Sequence, residues 1–280
     1  MKIGIITIAT GRYSMYIQEL VETAENLFLT DHDRKYFIYT DSDIEQLGSF
    51  KGSEKIIKIH QDKLGWPYDS MMRFHMFDKE KKLLSEMDYL FFMNANMKIV
   101  DIVDESILPK DNECGINSTI HPGYYRNKNP YNYPYERDSE SEFYIGYGSG
   151  SSYYQGCFNG GRSADFLNMS LILKNKMDKD IKNKIIPVWH DESALNWYLV
   201  DKDPLALPPT YAYPENCNGD DIKRALYAKN EGEDLHELSA DIAEANLTEN
   251  PFEYLVREIS NPKIVQRNKN MQGGKIYLRK

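Results

Sequence analysis

Residues 3–10, IGIITIAT, constrain the fold more than any other stretch. They are apolar and largely β-branched in succession rather than in alternation, so a strand made of them must be covered on both faces. Strands of that kind belong to parallel sheets, whose crossover helices lie over the sheet. The chain continues in the same sense. Gly11 ends the run, and residues 13–29 predict a helix with Leu20, Ala24, Leu27 and Phe28 on one face. KYFIYT at 35–40 predicts a second strand ending at Asp41, and EKIIKIH at 54–60 a third. Residues 69–86 read as one helix with Met72, Met76 and Leu83 on its apolar side, and YLFFM at 89–93 as a buried strand that stops at Asn94. This alternation predicts an α/β fold with a single Rossmann-like open twisted sheet flanked by helices. Open sheets bind ligands beyond the carboxyl ends of their strands, which singles out Thr10 to Tyr13, Asp41 and Asn94 to Asn96.

The second half is less regular. Residues 121–152 are rich in Tyr, Asn, Pro, Gly and Ser and read as long loops over the binding face. A strand at 153–158 meets Gly160-Gly161. A helix follows at 163–176 with Phe166, Leu167, Ser170, Leu171 and Leu173 near its buried side. His190-Asp191-Glu192-Ser193 opens a short helix reaching Val200. Beyond Pro214 the sequence turns polar, with helices expected at 221–229, 234–247 and 252–259. The last twenty residues carry six Lys or Arg and no acid. A main domain at 1–230, a polar helical C-terminal extension at 231–280 and a disordered end are expected.

The charge balance, 34 basic against 43 acidic residues for a net −9, argues against nucleic-acid binding, which needs clustered cations to displace counterions. Cys114, Cys157 and Cys217 are odd in number and widely spaced, as reduced thiols are. No run approaches the ~20 apolar residues that span a bilayer. The six His form no zinc-type spacing, so no metal is assigned to them. The 21 Tyr suit either stacking on sugars and bases or ordinary half-buried packing.

Several segments together resemble glycosyltransferase family 6, which includes the histo-blood-group A and B transferases and the α-1,3-galactosyltransferase. They are Glu22-Thr-Ala-Glu25, YFIYTD at 36–41, WPYDSMMR at 66–73, SEMDYLFFMNANM at 85–97, HPGYY at 121–125, YYQGCFNGG at 153–161, WHDES at 189–193 and 195–199. They occur in the family's order over residues 1–230. The resemblance implies a GT-A fold, a UDP-sugar donor, an oligosaccharide acceptor and retention at the anomeric carbon. With a chain that begins almost at its first strand, the resemblance implies a bacterial-type cytoplasmic member as the expectation. The family has Asp-x-Asp where this chain has Asn94-Ala95-Asn96. Hard divalent cations prefer charged oxygen ligands, and Asn offers only a neutral carbonyl, so metal independence and no cofactor are expected.

Residue by residue, the resemblance implies that Glu192 is the carboxylate that attacks the anomeric carbon or steadies its positive charge. Asp191 would hold donor-sugar hydroxyls, although adjacent acids at a helix start also suit the helix dipole. Ile8, Thr10 and Tyr13 match positions that hold uracil and ribose. Arg73 and Lys229 match basic residues near the diphosphate and are expected to stand in for a metal's charge. The basic tail would either fold over the UDP or make weak contact with an anionic membrane surface. His121 and Trp189 match acceptor-binding positions, and Gln155 and Cys157, flanking Gly156, match those that sort donors at the C2 substituent. The small Cys157 favours N-acetylgalactosamine. Gly156, Gly160 and Gly161 are expected to let backbone approach the sugar. The expected reaction is α-1,3 transfer of N-acetylgalactosamine to a galactose acceptor that carries α-1,2-fucose or lacks it. The alternatives are UDP-galactose as donor, or a UDP-sugar- or glycan-binding protein without turnover.

Overall fold

The computed structural model describes residues 1–43, 50, 52–110, 113–125 and 128–212. Lys229, Cys217, the helices expected beyond residue 220, the extension at 231–280 and its basic tail lie outside them.

Seven strands form one mixed open sheet: β1 (Lys2–Ile8), β2 (Asp33–Thr40), β3 (Ile56–His60), β4 (Tyr89–Met93), β5 (Ile116–Ile120), β6 (Tyr154–Arg162) and β7 (Leu205–Leu207), in the order β3-β2-β1-β4-β6-β5-β7. The first four are mutually parallel, as the unbroken apolar runs predict, and β6 enters antiparallel to β4. The sheet is covered on both faces. Ile3, Ile5, Phe91 and Met93 pack with Leu20, Val21 and Ala24 of α1 (Ile17–Leu27). Ile6, Leu90 and Phe92 point the other way, onto Phe74 and Phe77 of α3 (Arg73–Lys79) and Phe166 and Leu173 of α5 (Ser163–Lys182).

Two expected helices are broken. Gly11–Tyr16 is a 3-10 helix that precedes α1, and it starts from Gly11 at φ +55°, a conformation open to glycine, with the Gly11 amide donating to Asp41 Oδ1 at 2.8 Å. The helix read over 69–86 is three pieces: α2 (Tyr68–Met71), α3 and α4 (Lys81–Leu84), interrupted at Met72 and Glu80. The first interruption immediately precedes Arg73, a cation that turns into the interior. Two strands escape the sequence reading. β5 is INSTI, with Asn117, Ser118 and Thr119 fully buried, and β7 has only three residues. The glycine pair is a further correction. A side chain at Gly160 would run into Phe91 and the Leu90 carbonyl, and one at Gly161 into Gly115. Both glycines therefore serve strand packing, and of the three glycines 156, 160 and 161 only Gly156 adjoins acidic side chains.

The loop at 121–152 is irregular, as expected, but firmly tethered. Asp180 of α5 accepts from Ser141 Oγ (2.6 Å) and the Glu142 amide (2.8 Å). Buried Glu136 accepts from the amides of Asp138 (2.8 Å) and Val188 (2.7 Å). Arg137 donates to the carbonyls of Ile145 and Pro130. Among the described residues no helix is long and apolar enough to cross a membrane.

Candidate active site

The antiparallel entry of β6 assembles the site. Met93 at the end of β4 pairs with Phe158, and the Asn94 amide donates to the Cys157 carbonyl at 2.9 Å. Asn94-Ala95-Asn96 therefore turns beside Gln155-Gly156-Cys157, at the carboxyl ends of the parallel strands. α6 (Asp191–Leu199) lies against β6, held by Asn196, whose amide group exchanges hydrogen bonds with the Tyr154 backbone (2.8 and 2.7 Å). This docks the first turn of α6, with Asp191 and Glu192, onto Gly156.

Glu192 is fixed through both oxygens. Tyr153 donates its hydroxyl to Oε1 at 2.7 Å, and the Gly156 amide donates to Oε2 at 2.7 Å. Burial pushes the Glu192 carboxyl up to about 7, and Asp191 adds to the rise, while the Tyr153 and Gly156 hydrogen bonds and the Arg73 charge oppose it. Asp191 pairs with Arg73, Oδ2 to Nη1 at 2.6 Å. Burial raises the Asp191 carboxyl and the Arg73 charge pulls it down. Arg73 is 2% exposed, donates to the Gly156 carbonyl at 2.9 Å and lies over the Phe92 ring at 4.5 Å. Its Nη1 is thus committed to Asp191 and β6, while Nε and Nη2 are buried without a hydrogen-bond partner. A Cβ at Gly156 would sit 3.2 Å from Asp191 Oδ2 and 3.4 Å from Glu192 Cβ, so glycine keeps the space before both acids open.

His190, just ahead of these acids, has φ 56° and ψ −120°, a strained conformation for a non-glycine residue, with the Trp66 ring edge-on at 4.6 Å. Strain of this kind persists where surrounding contacts over-determine it, and it clusters at functional sites.

The residues expected on the acceptor side reach Glu192 through a tyrosine layer. His121 packs on Tyr153 (5.7 Å between rings), and half-buried Trp189 packs on the cluster of Tyr133, Tyr135 and Tyr153. His121 Nδ1 accepts from the Gly123 amide at 3.0 Å, and burial lowers its pKa to about 4. The ring is neutral at pH 7 and leaves Nε2–H as a donor.

The uracil and ribose candidates form a second group. Ile8 packs into the core at the end of β1. Thr10 hydrogen-bonds Asp69, whose charge, like that of Arg12, is felt by the half-buried Tyr13 hydroxyl. Asp69 accepts from the Leu64 amide at 2.8 Å, and burial raises its pKa. Sequence reasoning missed Asp69 and Tyr153 although both lie inside quoted segments, WPYDSMMR and YYQGCFNGG. The signal available was proximity to Arg73 and Gln155.

The free protein's Glu192 sets a pH expectation. In the role that the resemblance implies, Glu192 meets positive charge and works only when ionised, so kcat/KM should rise with pH through an inflection near about 7 and then level off. Tyr153→Phe removes a donor that favours the ionised form, so its inflection should lie higher. A profile flat between about pH 5 and 9 for the wild type contradicts this role.

A family model described as Glycosyltransferase family 6 matches residues 1–234. The chain is 35% identical over 215 residues to the O-antigen biosynthesis glycosyltransferase WbnI of Escherichia coli, covering 77% of this chain and 89% of that one. It is 31% identical over 222 residues to histo-blood group ABO system transferase 2 of Rattus norvegicus, covering 78% and 65%. The human globoside alpha-1,3-N-acetylgalactosaminyltransferase 1 is 27% identical over 220 residues, covering 77% and 62%. The chain thus spans less than two thirds of the length of these mammalian relatives.

Proposed function

The chain belongs to glycosyltransferase family 6, and from that we propose that it transfers N-acetylgalactosamine from UDP-N-acetylgalactosamine, with retention and in α-1,3 linkage, to a galactose-containing acceptor, fucosylated or plain, without a divalent metal ion. The observation that carries this reading is the doubly held Glu192 carboxylate beside the Asp191–Arg73 pair and the open flank of Gly156.

Transfer breaks the bond between the anomeric carbon and a phosphate oxygen. Positive charge grows on the sugar and negative charge on the departing UDP. Glu192 meets the first, either by attack or by electrostatic stabilisation. Asp191 keeps one oxygen, Oδ1, outside its Arg73 pairing and is suited to accept from donor-sugar hydroxyls. Arg73 is then a positioning residue that holds Asp191 and β6 together. Gln155 Oε1 is buried without a hydrogen-bond partner, and a donor acetamide N–H fits that need, while Cys157 leaves room for the group. His121 and Trp189 would hold the acceptor, Trp189 by its flat apolar face and His121 by its Nε2–H. Ile8, Thr10 and Tyr13 would take the uridine. A mere UDP-sugar-binding protein has no use for a carboxylate held in this way.

The family fold commonly places a divalent cation at the Asp-x-Asp position. The donor set here fits such an ion poorly. Asn94 and Asn96 offer uncharged oxygens, and among the described residues no three His, Cys, Asp or Glu side chains are grouped to hold a metal. Charge on the leaving UDP falls in this reading to Arg73, whose Nε and Nη2 have no hydrogen-bond partner, to Lys229 or to the basic tail. Transfer and donor hydrolysis should keep their rates in excess EDTA, with UDP-N-acetylgalactosamine used faster than UDP-galactose. Strong inhibition by EDTA that added Mn²⁺ reverses removes the metal-free part. Preference for UDP-galactose removes the donor assignment.

A further inference from the structure

At the far end of α6 from the catalytic acids lies a cavity of about 380 Å³ that the proposed reaction does not use. Its walls include the rings of Tyr144, Trp197 and Tyr198 and the polar groups of Ser149, Asp201 and Lys202. That volume is at the small end of ligand pockets, suited to one or two hexose rings. The composition is specific in its chemistry. Lysine ammonium groups lie over one face of Trp197 (Lys176, 4.1 Å) and of Tyr198 (Lys202, 4.6 Å), so Tyr144 and the opposite faces of those two rings are what suit the apolar C–H face of a sugar. Asp201 accepts and Lys202 donates, so their opposite charges favour neither an anion nor a cation and leave hydroxyls to be read.

A second observation lies on the same loop. Tyr144, Tyr131 and Tyr147 are 42%, 63% and 64% exposed, unusual values for tyrosines. The Tyr131 and Tyr147 rings are stacked at 6.2 Å, and Arg137 braces Tyr147 from 4.3 Å while donating to the Ile145 carbonyl. Held exposed rings need little further ordering on binding, which favours affinity. The cavity is also joined to the catalytic centre by packing. Ile145, Trp197 and Val200 line it and also belong to the aromatic cluster around Tyr153, whose hydroxyl holds Glu192.

We propose that this cavity is a second saccharide-binding site, one that takes neutral hexose units of a glycan chain and tethers that chain to the enzyme. It goes beyond the proposed reaction and is tested without a donor present. The probes are lactose and a linear hexasaccharide ending in galactose, followed by saturation-transfer NMR. The hexasaccharide should still receive saturation from the Trp189→Ala protein, whose acceptor site is impaired. It should lose it when Tyr198→Ala or Tyr144→Ala is added. Tyr144 is a surface side chain, so that variant keeps the fold if Tyr198→Ala does not. In transfer assays Tyr144→Ala should leave KM for lactose unchanged and raise KM for the hexasaccharide about tenfold, the loss expected when a tether goes. If NMR binding is lost while both KM values stand, the occupant is a separate chain rather than the distal part of the acceptor. The site is overturned if Trp189→Ala abolishes all saturation transfer, or if the Tyr144 and Tyr198 variants retain it. A protein that fails to transfer sugar still gives the NMR result, so the two readings fail separately.

Discussion

Glu192→Gln should lower sugar transfer by about 10³-fold or more while leaving UDP affinity within about threefold of wild type, because the lost charge matters only when the anomeric carbon turns positive. The substitution is close to isosteric, and the surrounding donors dictate how it sits. The Gly156 amide can only donate, so the glutamine Oε1 must face it, and its NH₂ must face Tyr153, whose hydroxyl can turn to accept. The fold and the donor pocket therefore survive. Isothermal titration with UDP and a radiolabelled-donor transfer assay give the two readouts. Transfer within tenfold of wild type, with UDP binding intact, takes Glu192 out of the mechanism. Loss of UDP binding instead says that the carboxylate organises the pocket rather than the chemistry.

The second large effect is expected at Arg73. Arg73→Met keeps the volume of the buried stem and its contact with Phe74 and Phe92 but leaves Asp191 without its partner. Breaking a buried pair from one side typically costs about 3–5 kcal/mol. Asp191 retains some exposure and can take up a proton, so a loss near the lower end, about 3 kcal/mol, is expected in urea unfolding at pH 7. Adding Asp191→Asn removes the stranded charge and should recover more than half of that stability. Activity should fall at least about 10²-fold in the single variant and stay low in the double one, because Asp191 is then gone from the donor sugar. Recovery of activity together with stability makes the pair purely structural. No stability loss in the single variant means that the ion pair contributes nothing.

Legibility in the sequence varied with how local each cause is. β4 was read to the residue, because YLFFM is apolar throughout and bounded by polar neighbours. β5 was not, because Asn117, Ser118 and Thr119 are polar and their burial is imposed by β6 and β7, far along the chain. The helix at 69–86 has the right apolar positions, yet helical spacing cannot show that Arg73 must leave the surface to meet an acid 118 residues later. The site was legible where it lay within a quoted motif: Asp191, Glu192 and the 155–157 triplet come together at Gly156. What the motif hid was division of labour. Arg73 matched a donor-side position, but only its partners reveal that it serves Asp191. Gly160-Gly161 looked like a sugar-facing pair and turned out to be a seam between strands.

The tethering of the 121–152 loop carries a consequence for engineering. The proposed donor side is built from β4, β6 and the first turn of α6, whereas His121, Tyr133 and Tyr135 arrive on one continuous segment, with Tyr153 just beyond it. Among the described residues its side-chain anchors to the rest of the protein come from α5 and the turn before α6: Asp180 to Ser141 and Glu142, Lys176 and Lys179 to Glu142, and Glu136 to Val188, while Arg137 binds within the segment itself. It therefore behaves as a cassette. Exchanged whole with that of a relative, together with the residues at positions 176, 179 and 180, it should carry across the part of acceptor preference that His121 sets, while Trp189 and the donor chemistry stay with the recipient.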